Sequence, residues 1–143
     1  MRCVRKIAIF CVVLIAGCSD YELNPKVEEI PIIEEPNIHA VPSSLNFGHL
    51  DAGVGESKAQ VITITNAGNK NLNLSHIALN ATDLVYTITP PHITTLKPDQ
   101  ATRVTVTYIP RTYETNSNSV LINSNDPDEA VVTVPIRGES SAP

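Results

Sequence analysis

From residue 37 onward, apolar and polar residues alternate in short runs that end at turn-forming residues. The clearest run is TRVTVTYIP, in which Val104, Val106 and Tyr108 share one face while an arginine and two threonines share the other. Successive side chains of a β-strand point to opposite faces, so this period of two predicts half-buried strands. No segment sustains the spacing of apolar residues, every three to four positions, that is typical of an α-helix. The pattern therefore predicts an all-β domain.

Other runs repeat the alternation. Leu45 and Phe47 are predicted to share a buried face, as are Ile62 and Ile64. In LNLSHIAL the apolar positions change phase, which predicts a β-bulge near residues 75–76. About seven strands over about a hundred residues are typical of an immunoglobulin-like antiparallel β-sandwich.

The last two runs, SVLINS and AVVTVPIRG, are predicted to be strands joined by a tight turn at residues 126–128. Their apolar side chains are expected to face one another across the core: Val120 and Ile122 on one strand, and Val132, Val134 and Ile136 on the other. Because Pro135 has no N–H, the final strand is predicted to be an edge strand or to carry a bulge at that residue.

The first 17 residues have the pattern of an export signal rather than of a domain. Arg2, Arg5 and Lys6 precede an apolar run at residues 7–15, and small residues follow it. The apolar run is about half the roughly 20 residues that a membrane-spanning helix needs. We therefore expect residues 1–17 to be a cleaved signal peptide.

The sequence Ile-Ala-Gly-Cys at residues 15–18 resembles the lipobox of bacterial lipoproteins. This resemblance implies that the Cys18 thiol receives a diacylglyceryl group and that the signal is cut just before it. Lipid chains would then hold the protein on a membrane. In such lipoproteins an aspartate directly after the cysteine favours retention at the inner membrane. This chain has Ser19 there, so we expect the lipoprotein to reside in the outer membrane of a Gram-negative bacterium. The alternative is ordinary secretion with a free, reactive terminal thiol.

Residues 18–37 are predicted to be a tether, because three prolines and a row of acidic residues oppose regular structure. The predicted sandwich occupies residues 38–139, and residues 140–143 are predicted to be a C-terminal tail. The formal net charge of −5 becomes −8 once Arg2, Arg5 and Lys6 leave with the signal. Nucleic acid is therefore not an expected partner, because phosphate binding needs clustered basic residues.

Candidate chemistry is sparse. Cys3 and Cys11 leave with the signal, so the domain has no thiol for a disulfide, a metal site or catalysis. The acidic turn SNDPDE supplies oxygen ligands of the kind that Ca²⁺ prefers, although a solvated turn explains the same residues. Its candidate ligands are Asp126, Asp128 and Glu129.

No other residues assemble into a site. The four histidines are far apart on different predicted elements and do not form a zinc set: His39, His49, His76 and His92. No catalytic Ser/His/Asp set and no cofactor motif can be identified. With Phe47 and Tyr108 assigned to the core, Tyr86 and Tyr113 remain the aromatic candidates for stacking on a sugar.

Several motifs resemble one family in the same order along residues 38–138. They are VPSSLNFGHLDAGVGES, ITNAGNKNLNL, VTVTYIPRT and INSNDPDEAVVTVPIRG. They look like the bacterial choice-of-anchor D repeats, which are related to ASH and Hydin-type immunoglobulin-like domains and more distantly to the major sperm protein fold. This resemblance implies a binding or structural module without shared catalytic residues.

The leading functional hypothesis is a membrane-tethered lipoprotein that presents a non-catalytic module to an envelope protein partner. An envelope enzyme, or a calcium-dependent or carbohydrate-binding module on the same scaffold, is the alternative. Function must be argued from a site rather than from a fold, and the sequence leaves both the partner and the oligomeric state open.

Overall fold

The computed structural model describes residues 34–82 and 84–141, which form nine β-strands and no helix. No helix long and apolar enough to cross a membrane occurs in these two ranges. The predicted signal peptide, Cys18 and residues 19–33 lie outside the described residues. In chain order the strands are β1 Ile38–Val41, β2 Leu45–Asp51, β3 Lys58–Asn66, β4 Leu72–Leu79, β5 Tyr86–Thr89, β6 Thr95–Leu96, β7 Ala101–Tyr108, β8 Thr115–Ser124 and β9 Val131–Ser141.

The strands form two layers, as the alternation predicts. A four-stranded sheet has the order β1-β3-β7-β5, and a five-stranded sheet has the order β2-β9-β8-β4-β6. Every pair is antiparallel except β2 with β9, which is parallel. The fold is therefore an immunoglobulin-like sandwich, but it is not purely antiparallel. The chain passes from one sheet to the other between β1 and β2, at residues 42–44.

The core lies between the sheets and consists of the side chains on the alternating apolar positions. The positions predicted to be buried are confirmed: Leu45, Phe47, Ile62, Ile64, Val104, Val106 and Tyr108 are each at most 2% exposed. The predicted bulge in β4 is also confirmed, because the register with β8 shifts between Leu74 and His76. Burial of such aliphatic side chains stabilises a domain by about 1.5–3 kcal/mol each.

Three aromatic rings at the centre of the core link the two sheets. The ring of Tyr86 stacks on that of Tyr108 with centroids 4.9 Å apart, and Phe47 lies 5.7 and 5.6 Å from them. Both tyrosine hydroxyls donate to Asn116 on β8, one to its carbonyl oxygen and one to its Oδ1, each at 2.9 Å. The buried hydroxyl groups are therefore satisfied, which removes the cost of burying them.

Two expectations about the last strands need correction. Val120 and Ile122 do not face the β9 side chains across the core, because β8 and β9 are neighbours in one sheet with Val120 beside Val134. The strand β9 also continues to Ser141 beside Asp51 of β2, two residues beyond the predicted domain boundary. A local alternation pattern shows which face is buried but does not show which strands become neighbours.

The start of the domain also differs from the prediction. Residues 34–37, assigned to the tether, contact the turn between β3 and β4: Glu35 O accepts from Asn69 N at 3.1 Å, and Lys70 Nζ lies 2.6 Å from Glu34 Oε2. Gly68 makes this approach possible, since a Cβ there would lie 2.7 Å from the carbonyl carbon of Pro36. Residues 34 and 35 therefore contact the folded domain.

We expect Gly138→Ala to destabilise the fold by about 2 kcal/mol through overpacking. A Cβ at Gly138 would lie 2.6 Å from Cζ of the buried Tyr108 ring, which is held by its neighbours and by Asn116. Urea unfolding followed by far-UV circular dichroism measures the change. Gly53→Ala in the exposed β2–β3 turn is the control and should stay within about 0.5 kcal/mol of wild type. Equal stability of the two variants would contradict this packing.

Candidate functional site

One side of the sandwich is formed by β1 and β2, which are edge strands of different sheets. The strand β1 pairs only with residues 63–66 of β3, and β2 pairs with β9 only from Ile136 onward. Each sheet edge is therefore covered over about half its length. We call this side the seam and consider its two halves in turn.

In one half of the seam, side chains close the gap between the sheets. Lys58 and Gln60 lie on the part of β3 that β1 does not cover. Lys58 Nζ donates to the Phe47 carbonyl oxygen at 2.8 Å, and Gln60 Nε2 donates to the Asn46 carbonyl oxygen at 2.6 Å. These bonds occupy acceptors on β2 that would otherwise be available to another strand.

In the other half of the seam, residues 131–135 of β9 have β8 on one side and no strand on the other among the described residues. We call this segment the open edge. A groove of about 460 Å³ runs beside it, and β1 forms the opposite wall. The groove is lined by Ile38, His39, Ala40, Ser43, Glu129 and residues 131–134.

Hydrogen bonding of Ser119 shows which backbone groups point out of the open edge. Its N–H donates to Asn118 Oδ1 and its carbonyl oxygen accepts from Asn80 N, so neither bonds to Pro135, its partner on β9. Hydrogen-bonded and non-bonded pairs alternate along an antiparallel ladder. The backbone groups of Val131, Thr133 and Pro135 therefore point away from β8.

This arrangement explains Pro135. The strand β9 is central in its sheet, so the prediction that it is an edge strand is wrong for the strand as a whole. Pro135 itself nevertheless has no partner residue on β2, because the pairing of β9 with β2 begins one residue later, at Ile136. A residue at this position would direct its N–H away from β8, toward the side that β2 does not cover. Proline therefore removes no hydrogen bond from the sheet.

A smaller hollow lies on the opposite side of the sandwich. There a hollow of about 90 Å³ lies between β4 and the segment after β5, and Leu74, Pro90 and Pro91 line it. Two consecutive prolines remove backbone donors from this wall. Of the hollows described, the groove at the seam is larger than this one and has strand backbone along one wall.

The acidic turn beside the groove has a structural role for one of its three carboxylates. Asp126 is 3% exposed and accepts three backbone N–H bonds, from Ile38 at 2.7 Å, Asp128 at 2.9 Å and Glu129 at 3.1 Å. The side chains of Asp128 and Glu129 are exposed. The Asp126 carboxylate thus ties β1 to the turn that begins β9, and it fixes both walls of the groove.

Burial acts to raise the pKa of Asp126, but the N–H groups of Ile38, Glu129 and Asp128 favour its charged form more strongly and lower its pKa below the usual value. A group with a lowered pKa in the folded state stabilises the fold above its ordinary pKa. That contribution is lost as the pH falls through the lowered pKa.

The four histidines lie on separate parts of the sandwich. His39, His49 and His76 lie on three different strands, and His92 lies in the segment between β5 and β6. Within residues 34–82 and 84–141 no group of three or more His, Cys, Asp or Glu side chains could hold a metal ion. Calcium binding by the acidic turn stays a prediction. Cys18 lies outside the described residues.

One aromatic candidate for sugar binding is wrong. Tyr86 is 1% exposed and belongs to the core cluster, whereas Tyr113 is 60% exposed. The sequence LVYTIT buries two consecutive residues, Val85 and Tyr86, so its alternation does not identify the inward face. A single exposed tyrosine supplies one stacking surface rather than a platform of several rings.

Sequence reasoning missed the open edge and the two side chains that close the other half of the seam. Both depend on where the chain crosses between sheets, which local alternation does not report. The one sequence signal for the open edge was Pro135, which marks a backbone position without a ladder partner.

We expect Asp126→Asn to destabilise the domain by about 2 kcal/mol at neutral pH, because an amide NH₂ would replace an acceptor that faces backbone donors. Urea unfolding measured from pH 7 down to below the ordinary pKa of an aspartate tests the effect. The difference from wild type should shrink at low pH, because the unfolded chain binds a proton at Asp126 before the folded chain does. The exposed Asp128→Asn is the control. A difference that does not change with pH would contradict the assigned role.

Comparison with known proteins places this geometry in a family. A family model for HYDIN/CFA65/VesB-like Ig-like domains matches residues 36–139. No curated protein matches the chain in sequence.

Solved structures share the fold at low sequence identity. A Porphyromonas gingivalis W83 protein of unknown function is 20% identical with a TM-score of 0.65, over 80% of this chain and 51% of that one. The ASH/PapD-like domain 7 of human CEP192 is 13% identical with a TM-score of 0.62, over 87% of this chain and 99% of that one. The Vibrio cholerae VesB protease is 13% identical with a TM-score of 0.58, over 73% of this chain and 32% of that one.

The chain therefore spans about half of the Porphyromonas structure and about a third of the VesB structure. At these identities the likeness concerns the fold alone. The predicted resemblance to ASH and Hydin-type immunoglobulin-like domains is confirmed, and the chain belongs to the HYDIN/CFA65/VesB-like Ig-like domain family.

Proposed function

We propose that this protein is a lipid-tethered, non-catalytic interaction module of the bacterial cell envelope, and that it binds a protein partner through the open edge. The observation that carries the proposal is the contrast between the two halves of the seam. Lys58 and Gln60 bond to two carbonyl oxygens of β2 in one half, whereas in the other half the outward backbone groups of Val131 and Thr133 face the groove.

The chemistry of the open edge suits an extended peptide. Outward N–H and C=O groups at Val131 and Thr133 supply donors and acceptors. An added strand gains affinity from such main-chain bonds and specificity from side chains that enter the adjoining groove. Val131 is 52% exposed and gives this strand an apolar contact.

The groove is also held in a fixed shape before any partner binds. Its two walls, β1 and β9, are joined by the bond from Ile38 N to the Asp126 carboxylate at 2.7 Å. A preformed surface loses little conformational freedom on binding, so more of the contact energy appears as affinity. This fixed shape supports the binding of a partner.

The tether belongs to the same proposal. Residues 34–37 enter the domain beside the β3–β4 turn, at the end of the sandwich that also carries the acidic turn. If Cys18 is lipidated, residues 19–33 connect it to this end and reach about 50 Å when fully extended.

Lipid tethering predicts that Cys18→Ser moves the protein from the membrane fraction to the soluble fraction of cells. Mass spectrometry of the wild type should detect an amino-terminal cysteine that carries diacylglycerol, because two or more acyl chains hold a protein durably on a bilayer. Ser19→Ala is the control and should remain in membranes. An unmodified amino terminus, or a Cys18→Ser variant still in membranes, would contradict the tether.

Binding at the open edge predicts cross-links from a photoreactive amino acid that replaces Thr133. Thr107 is the matched control, because it also lies within a strand but is paired by both β3 and β5. In intact cells, position 133 should yield a discrete cross-linked protein band that position 107 does not yield. The proposal would be wrong if both positions gave the same bands or neither gave any.

A further inference from the structure

We propose that the partner contributes an extended segment that inserts into the groove between β1 and β9, pairs with the backbone of both strands in antiparallel orientation, and carries basic residues at its carboxyl end. This inference rests on the proposed function, because it names what fills the groove beside the open edge. Three features of the groove support it: the backbone groups on both walls, the direction of the two strands, and the charges at the open end.

The β1 wall of the groove presents backbone groups, as the open edge does. Ala67 N donates to Asn37 O at 2.8 Å, so alternate residues of the chain from Asn37 onward bond to β3. The backbone groups of Ile38 and Ala40 therefore point away from β3, and Ile38 N donates to Asp126. The Ile38 carbonyl oxygen and both backbone groups of Ala40 face the groove without a partner among the described residues.

The two walls of the groove run in the same direction. Ile38, at the start of β1, bonds to the turn that precedes β9, and the chain continues through residues 42–44 to Leu45, which pairs with Ile136 of β9. One inserted strand can therefore be antiparallel to both walls, the orientation with the better-aligned hydrogen bonds. Ser43 lines the groove where β2 takes its place beside β9, so the paired segment has about four residues and a length of about 13 Å.

The groove suits one strand that is paired on both sides. The facing sheets of a sandwich lie about 10 Å apart, and a strand needs about 4.8 Å to each neighbour with which it pairs. The backbone groups of successive residues of a strand point to opposite sides, so residues that bond to Val131 and Thr133 would alternate with residues that bond to Ile38 and Ala40. Pairing with β9 alone would leave half of these backbone groups facing the β1 wall without partners.

The side chains that line the two walls agree with this pairing. Ile38 is buried and Val132 is half-buried, whereas His39 and Thr133 are exposed. Residues directly opposite one another on paired strands have their side chains on the same face. Residues of the segment that bond to β1 therefore direct their side chains to the apolar interior, and those that bond to β9 direct theirs to solvent. The segment is thus expected to alternate apolar and polar residues.

The open end of the groove is acidic. Glu129 lines it and Asp128 precedes Glu129 in the turn; both side chains are exposed, and neither forms an ion pair within the described part of the chain. A segment antiparallel to β9 leaves the groove at this end with its carboxyl-terminal side, so lysine or arginine there would meet two carboxylates. The apolar run IPII at residues 30–33 of this chain has two glutamates on each side, which disfavours a second copy as the source of the segment.

Fluorescence anisotropy with the mature chain, residues 18–143 with Cys18→Ser, tests the inserted strand. The probe is a labelled synthetic peptide, Thr-Val-Thr-Val-Thr-Lys-Lys, which should bind saturably. A methyl group on the backbone nitrogen of the second valine removes a bond to β1, and a methyl group on that of the central threonine removes a bond to β9. Each modification should weaken binding at least about tenfold. Unchanged binding of the valine-methylated peptide, or no binding of the unmodified peptide, would overturn the inference.

Charge exchange tests the polarity of the segment. Glu129→Lys should weaken binding of the lysine peptide about fivefold and should strengthen binding of a peptide that ends in two glutamates instead. Glu56→Lys is the matched control, because Glu56 is exposed in the β2–β3 turn, beyond the part of β2 that pairs with the last residues of β9. It should leave both affinities within about twofold of wild type. Equal effects of the two variants would contradict a basic segment at Glu129.

Cross-linking in intact cells separates this inference from the proposed function. A photoreactive amino acid that replaces His39, on the β1 wall, should capture the same protein as one that replaces Thr133. A band from position 133 without a band from position 39 would refute insertion between the walls and retain binding at the open edge. A band that contains only this chain would refute a basic partner segment. The absence of any band specific to position 133 would refute both proposals.

Discussion

The seam of this sandwich depends on how β1 and β2 cover their neighbours on either side of residues 42–44, where the chain crosses from one sheet to the other. Before the crossing, β1 lies at the edge of one sheet; after it, β2 lies at the edge of the other; and each pairs with only part of its neighbour. Lys58 and Gln60 close one of the uncovered halves with hydrogen bonds to β2. The other half keeps its backbone groups exposed beside the groove.

The rest of the structure holds that half in place. The aromatic cluster links both sheets to Asn116 of β8, and β8 pairs with β9 along most of its length. Gly138 on β9 gives the Tyr108 ring its space. At the other end of β9, the Asp126 carboxylate bonds to β1 and to its own turn, so both walls of the groove are fixed by buried contacts. An edge held in this way presents its donors and acceptors at defined positions, which lowers the entropic cost of adding a strand.

Alternation predicted the two layers and most core positions, because regular period-two patterns report which face of a strand is buried. It missed β1 and β6, which have four and two residues and are too short to show a pattern. It misplaced Tyr86 because two consecutive residues there are buried. It could not show that Val120 and Val134 are neighbours in one sheet, or that Lys58 reaches β2, because strand pairing depends on the whole chain. Lipidation of Cys18 stays a prediction, since that residue lies outside the described part of the chain.

Amide hydrogen exchange along β9, measured by NMR at a concentration low enough for the chain to be monomeric, tests the open edge most directly. The amides of Val132 and Val134 point toward β8, whereas those of Val131 and Thr133 point into the groove. We expect the outward pair to exchange at least about 100-fold faster than the inward pair, because only the inward amides are held by ladder bonds. Equal protection of all four amides would show that the edge is covered within the monomer and would contradict the account.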